Sequence, residues 1–180
     1  MNKFIPFAVT LCLGASIPAL TQELDNPKFV EFGALETGTD GLQYVHGAGT
    51  PFTGKSIEFY PDGTKRNIYT WKDGYKHGPH IIWHENPCRK KQEVRYVDGW
   101  MDGTVLEWFL NGSIKSHSYY EKGKKNGLSL TWHENGQWAL AIHYQDGQWA
   151  GLTVEKDPNG TTFKELLYEG GSLLKPPVGH

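Results

Sequence analysis

Two short runs in this 180-residue chain place a histidine beside an acid: Trp83-His84-Glu85-Asn86 and Trp132-His133-Glu134-Asn135. A histidine next to a carboxylate is common material for general acid–base catalysis. Three histidines, His77, His80 and His84, also crowd one stretch and raise the question of a metal. Spacing argues against both. The two runs lie in register two periods apart, so repetition accounts for them, and no nucleophile or oxyanion donor converges on either. On a strand, His80 and His84 would share a face about 13 Å apart, too far for one zinc ion. The expectation is no catalytic residue, no metal, no cofactor and no enzymatic activity.

Other residues suit contact better than chemistry. Tyr75, Trp100 and Trp149, accompanied by Lys76 and Met101, sit just past glycine turns and outside the apolar columns. Aromatics on a rim favour binding, because Trp and Tyr dominate interface hot spots. Arg89-Lys90-Lys91 follows an irregular turn and offers a docking point for an acidic partner or an anionic headgroup. A short charged run is otherwise plain solvated surface. Tyr75, Trp100, Met101, Trp149, Arg89, Lys90 and Lys91 are thus the candidate partner-binding residues. Cys88 sits at a turn and receives no role.

The elements that must position these residues come from a repeat. Gly54, Gly78, Gly103, Gly127 and Gly151 open blocks of similar layout at steps of 24, 25, 24 and 24 residues. Such a period marks a repeat array with an extended surface. Each block carries two turn signals. The first ends at Gly63, Gly112, Gly136 and Gly160; the second is Asp73-Gly74, Asp98-Gly99, Lys122-Gly123, Asp146-Gly147 and Gly170-Gly171. The runs between them are five to eight residues long and rich in β-branched and aromatic side chains, which reads as strands. Alternation puts Ile57 and Phe59, Ile81 and Trp83, Leu106 and Trp108, and Leu130 and Trp132 on one face of the first strands. In the second strands it groups Tyr69 with Trp71, Val94 with Tyr96, Tyr120, Ile142 with Tyr144, and Leu166 with Tyr168. Both sets are expected to merge into one apolar stripe.

The predicted fold is all-β: an elongated single antiparallel sheet of stacked β-hairpins. The five-block array spans residues 41–174, with Leu42-Gln43-Tyr44-Val45 as a leading strand. In the last block Lys156 and Asp157 replace Trp and His, as suits a terminal cap. Residues 21–40 read as a linker or N-terminal cap and 175–180 as a tail.

The chain has 18 Lys+Arg against 20 Asp+Glu, a net charge of -2, which argues against nucleic acid. Lys3, the uncharged stretch from Phe4 to Leu20, and Ala15, Ser16 and Ala19 form a signal peptide over residues 1–20. Export to the periplasm or outside the cell follows. Removal of Lys3 makes the chain more acidic still, which disfavours anionic membrane lipid as a ligand. It also removes Cys12, leaving Cys88 without an internal disulfide partner.

The Gly-x-apolar-x-aromatic starts, Tyr60-Pro61-Asp62-Gly63, Trp132-His133-Glu134-Asn135-Gly136 and the Tyr-x-Asp-Gly ends at Tyr96 and Tyr144 resemble the bacterial variant of the MORN repeat. Pro51-Phe52-Thr53-Gly54-Lys55 resembles the lead-in of antitoxins of the YwqK type. Block two departs from the pattern, with Pro87-Cys88 in place of the glycine turn. The resemblance implies stacked hairpins in one long sheet, and binding rather than catalysis. It implies an immunity or antitoxin role; together with the signal peptide, the expectation is an exported, monomeric protein that covers a toxic effector, a phospholipase being one class. A lipid-surface module and an envelope scaffold are the alternatives.

Overall fold

A computed structural model describes residues 29–161 and 163–175; the signal-peptide reading lies outside them. The array is built from β4 (Gly54–Phe59), β5 (Lys65–Lys72), β6 (Tyr75–Lys76), β7 (Gly78–Trp83), β8 (Lys90–Val97), β9 (Trp100–Trp108), β10 (Ile114–Glu121), β11 (Lys124–Lys125), β12 (Gly127–Trp132), β13 (Trp138–Gln145), β14 (Gln148–Trp149), β15 (Gly151–Lys156), β16 (Phe163–Glu169) and β17 (Ser172–Lys175). Ahead of it come β1 (Phe29–Glu31), a 3-10 turn (Phe32–Ala34), β2 (Leu35–Thr37) and β3 (Gln43–Val45). One 15-stranded sheet runs β1-β4-β5-β7-β8-β9-β10-β12-β13-β15-β16-β17, with β6, β11 and β14 paired onto the ends of β5, β10 and β13. All its pairings are antiparallel except β1 on β4. The all-β fold and single hairpin sheet are as expected.

Sequence chemistry explains the two turn families. Asp73-Gly74, Asp98-Gly99, Lys122-Gly123, Asp146-Gly147 and Gly170-Gly171 all have positive φ at both positions, the geometry of a type I′ turn whose twist matches the flanking strands. At the other end only the glycine is left-handed. Gly63, Gly112 and Gly136 each donate to the carbonyl three residues back, and Asp62, Asn111 and Asn135 each accept from the amide two residues on. Block two closes its hairpin without that glycine: His84 N–H donates to the Arg89 carbonyl.

The opener glycines bend the sheet. From Trp71↔Lys76 to Ile68↔Ile81, five residues face three. The same two-residue excess recurs at each later junction. Gly78, Gly103, Gly127 and Gly151 sit in these bulges at φ of 83°, 104°, 75° and 71°. Bulges kink a strand and add twist. Across the hairpin each opener lies opposite an aromatic: Gly54↔Trp71, Gly78↔Tyr96, Gly103↔Tyr120, Gly127↔Tyr144 and Gly151↔Tyr168.

The expected single stripe is corrected by the register. Ile57 pairs with Ile68, whereas Tyr69 pairs with Ser56; direct partners share a face. The Ile57/Phe59 column and the Tyr69/Trp71 column are therefore on opposite faces, and the same phase holds in every later hairpin. One extra residue opposite Glu58/Phe59 sets this phase, which alternation within a strand cannot reveal. Burial concentrates on the face carrying Trp71, Tyr96, Tyr120, Tyr144 and Tyr168, called here the tyrosine face. Ser56, Asn67, Trp71, His80, Val94, Val105, Ser118, Ser129, Ile142 and Thr153 are buried there. Only Ile57 and Trp83 are buried on the other, tryptophan face among the described residues.

Residues 29–45 contribute three short strands ahead of the array. β1 lies parallel on β4, and β2 pairs with β3 in a separate two-stranded sheet. The leading strand thus belongs to the two-stranded sheet and not to the main one. It is tied on by Gln43 N–H to the Gly74 carbonyl and Phe52 N–H to the Gln43 carbonyl, and Phe52 is 1% exposed. At the far end β17 adds one further strand, extending the array through Lys175.

Candidate binding surface

Repeat-to-repeat contacts absorb the residues that looked catalytic. His84 Nε2 lies 3.4 Å from the Trp108 carbonyl and His133 Nε2 2.9 Å from the Lys156 carbonyl. Tyr60, at the same place in block one, donates to the Trp83 carbonyl at 2.9 Å. Asn111 and Asn135 donate to carbonyls in the next block, Glu134 and Pro158. These side chains are staples along one edge of the array. Along the opposite edge the backbone does the same work. Gly99, Gly123, Gly147 and Gly171 donate their N–H to the carbonyls of Lys76, Met101, Lys125 and Trp149 in the block before.

His77 and His80 face different partners. His77 Nδ1 is 3.0 Å from Asp98. His80 is buried on the tyrosine face, stacked on Tyr69 with centroids 4.1 Å apart. Burial, and then the Lys76 ammonium, push its pKa down to about 4. No group of three metal-ligating side chains converges among the described residues. Cys88 is not a free thiol, which corrects the expectation that it has no disulfide partner.

The aromatic rim divides in two. Tyr75 and Trp100 hold equivalent places at the tips of the two-residue turns, 48% and 62% exposed. Each lies over the glycine of the next turn, Tyr75 over Gly99 and Trp100 over Gly123. Met101 and Trp149 stand one residue further on, on the tyrosine face, opposite Tyr96 and Tyr144. Trp149 packs edge-on against Tyr168 at 4.8 Å. Lys76 and Lys125 fill the same slot in their blocks; Lys76 lies over both Tyr69 and Tyr96, and Lys125 over Tyr144. Met101 and Trp149 thus line a packed column, while Tyr75 and Trp100 are presented outward.

The basic run is divided as well. Arg89 donates to the Leu110 and Asn111 carbonyls. Lys90 pairs with Glu93 at 2.8 Å and lies over the Trp108 ring. Among the described residues the Lys91 side chain has neither an ion-pair nor a hydrogen-bond partner; it lines a shallow depression of about 320 Å³ with Ile82, Glu107, Trp108 and Lys115. A second depression of about 210 Å³ adjoins it, the two sharing Gln92 and Glu107. The second exists because of residue size. Where neighbouring blocks meet, the tyrosine face pairs Tyr69 with His80 and Val94 with Val105, but then Ser118 with Ser129. The two hydroxyls bond to each other at 2.8 Å and leave a gap in the apolar column.

One surface escaped the sequence reading. Tyr119, Leu128, Leu152 and Leu167 are 44%, 52%, 48% and 39% exposed. The register sets them, with His143, in one row across five strands of the tryptophan face. The signal was present as an apolar residue directly after Gly127 and Gly151. It appears only in the last blocks, which hid it from a repeat-wide pattern.

A family model for the MORN repeat variant matches residues 101–124. That window holds the β9–β10 hairpin and the following two-residue turn, one full period of the array. No curated protein matches the chain.

Proposed function

We propose, from a MORN repeat variant set in a five-block array, that this chain is a protein-binding platform. Within that class we read it as an exported immunity or antitoxin-type protein of the bacterial envelope. It would neutralise a toxic effector, a phospholipase being one class, by covering the mouth of the effector's active site. The observation that carries the binding reading is the division of labour among its side chains. His84, His133, Asn111 and Asn135 are spent on stacking, whereas Tyr75 and Trp100 are held outward on rigid two-residue turns. Aromatics pre-positioned in this way bind with little loss of side-chain entropy. The likeness to YwqK-type antitoxins supports the immunity step.

The test is co-expression with any toxin-domain protein whose gene adjoins this one. Cells survive the toxin, the two proteins co-elute, and Trp100→Ala with Tyr75→Ala removes protection while the melting temperature holds. Absence of a complex with that protein, together with cosedimentation on anionic liposomes, would favour the lipid-surface reading. Fractionation of cells expressing the full chain checks export.

A further inference from the structure

We propose that the depression around Lys91 is a receptor for the carboxylate side chains of a protein partner, an inference that rests on the protein-binding reading. The reasoning begins with three equivalent cations. Arg66, Lys91 and Lys115 each occupy the extra, unpaired position of the bulge in their hairpins. In two of the three, the chain supplies its own counter-charge from the preceding strand. Arg66 meets Glu58 at 3.0 Å and Lys115 meets Glu107 at 3.7 Å. In the middle block Ile82 stands where Glu58 and Glu107 stand, and among the described residues Lys91 has no carboxylate partner.

The surroundings make that vacancy a site rather than an omission. Glu107 shares the depression with Lys91 but is already engaged, accepting from Gln92 at 3.0 Å and from Ser116 at 3.1 Å besides Lys115. The adjoining gap adds Lys125 and the hydroxyls of Ser118, Ser129 and Thr131. Two hydroxyls that bond to each other use one of their two protons, so the Ser118–Ser129 pair retains a donor. Three ammoniums against one occupied carboxylate, with hydroxyl donors alongside, favour an anion. Trp108, Phe109 and Leu110 form an apolar wall, suited to the methylenes of Glu. The space, about 320 and 210 Å³, suits one or two side chains of an acidic segment.

The probe is acetylated, amidated hexaglutamate, titrated into the isotopically labelled full chain at low salt. The amides of Gln92, Ser116, Ser118 and Thr131 should shift, and added salt should reverse the change. Lys91→Gln should weaken binding roughly fivefold, the factor one exposed ion pair contributes, and Lys91→Arg should restore it. Ile82→Glu, which installs the missing internal partner, should block binding while the fold is retained. Unchanged binding by Lys91→Gln, or shifts that map elsewhere, overturns the proposal. So do phosphatidylglycerol vesicles that shift the same amides when hexaglutamate does not. If Lys91→Gln still captures and neutralises the effector, the groove is not the recognition site, yet the platform stands; if the wild-type chain captures nothing, the platform reading itself falls.

Discussion

His80 is the residue whose surroundings make the sharpest demand. Its ring lies between Tyr69 and Tyr96, with Lys76 nearby and Asn67 Oδ1 3.4 Å from Nε2. Its Nδ1 is buried without a hydrogen bond. Burial, and then the neighbouring Lys76 ammonium, disfavour the charged ring, so the folded pKa falls to about 4 from the ordinary 6.5. The unfolded chain then binds more protons than the folded one between those values, and stability falls as pH drops through that window. The loss amounts to roughly 2 kcal/mol, trimmed from the full shift for residual solvent access. Urea midpoints at several pH values should show this decline in the wild type. His80→Val, which copies Val105 at the equivalent place, should flatten it. His133 offers a contrasting case. It is a staple to the Lys156 carbonyl, so His133→Ala should cost about 1 kcal/mol, the usual worth of one hydrogen bond. Effector protection should be unchanged, an outcome a catalytic histidine would not give.

At the level of hairpins, glycines with the same dihedral requirement do different jobs. Gly136 and Gly123 have φ of 85° and 83°. A Cβ on Gly136 meets nothing within 4 Å, whereas one on Gly123 comes within 3.0 Å of Trp100. Gly136→Ala should therefore cost about 1 kcal/mol of left-handed strain. Gly123→Ala should cost more, because Trp100 must also leave its place; equal denaturation midpoints for the two would refute the stacking of Trp100 on that turn. The turns themselves were legible from the chain, since Asp-Gly and Asn-Gly pairs name their own geometry. The phase between strands was not. Ile57 and Tyr69 look like neighbours in a period-two pattern, but the extra residue near Lys65 and Arg66 sends their side chains to opposite faces. The same blind spot hid the Lys91 depression. It depends on Ser118 lying against Ser129 and on Ile82 standing where a glutamate stands in the flanking hairpins, and both are relations across strands. It also obscured Trp149, which reads as a rim aromatic beside Trp100 yet sits one place on, against Tyr168.

For the whole molecule, the question is whether 15 strands behave as one core or as a sum of neighbours. The stabilising relations traced above stay within a block or link it to the next: Arg66 to Glu58, His84 to Trp108, Gly123 to Met101. A stack of this kind should tolerate the loss of an internal unit. Removing residues 103–126 joins Asp102 to Gly127, and the opener glycine, its bulge and the tyrosine opposite are regenerated by Gly127 and Tyr144. Val94 would then face Ser129, in the slot Val105 now fills. The shortened chain should fold with native-like circular dichroism. Its denaturant m-value should fall by roughly one-fifth, in line with the surface removed, and its midpoint only modestly. A core that closed on itself would respond differently, because deleting its middle would strand both ends. A molten or aggregated product would therefore count against the stacked-hairpin account. Effector capture should be lost from the folded four-block chain even though Lys91 and Trp100 remain, because the deletion takes Glu107, Trp108 and Lys115 from the depression and Gly123 from beneath Trp100.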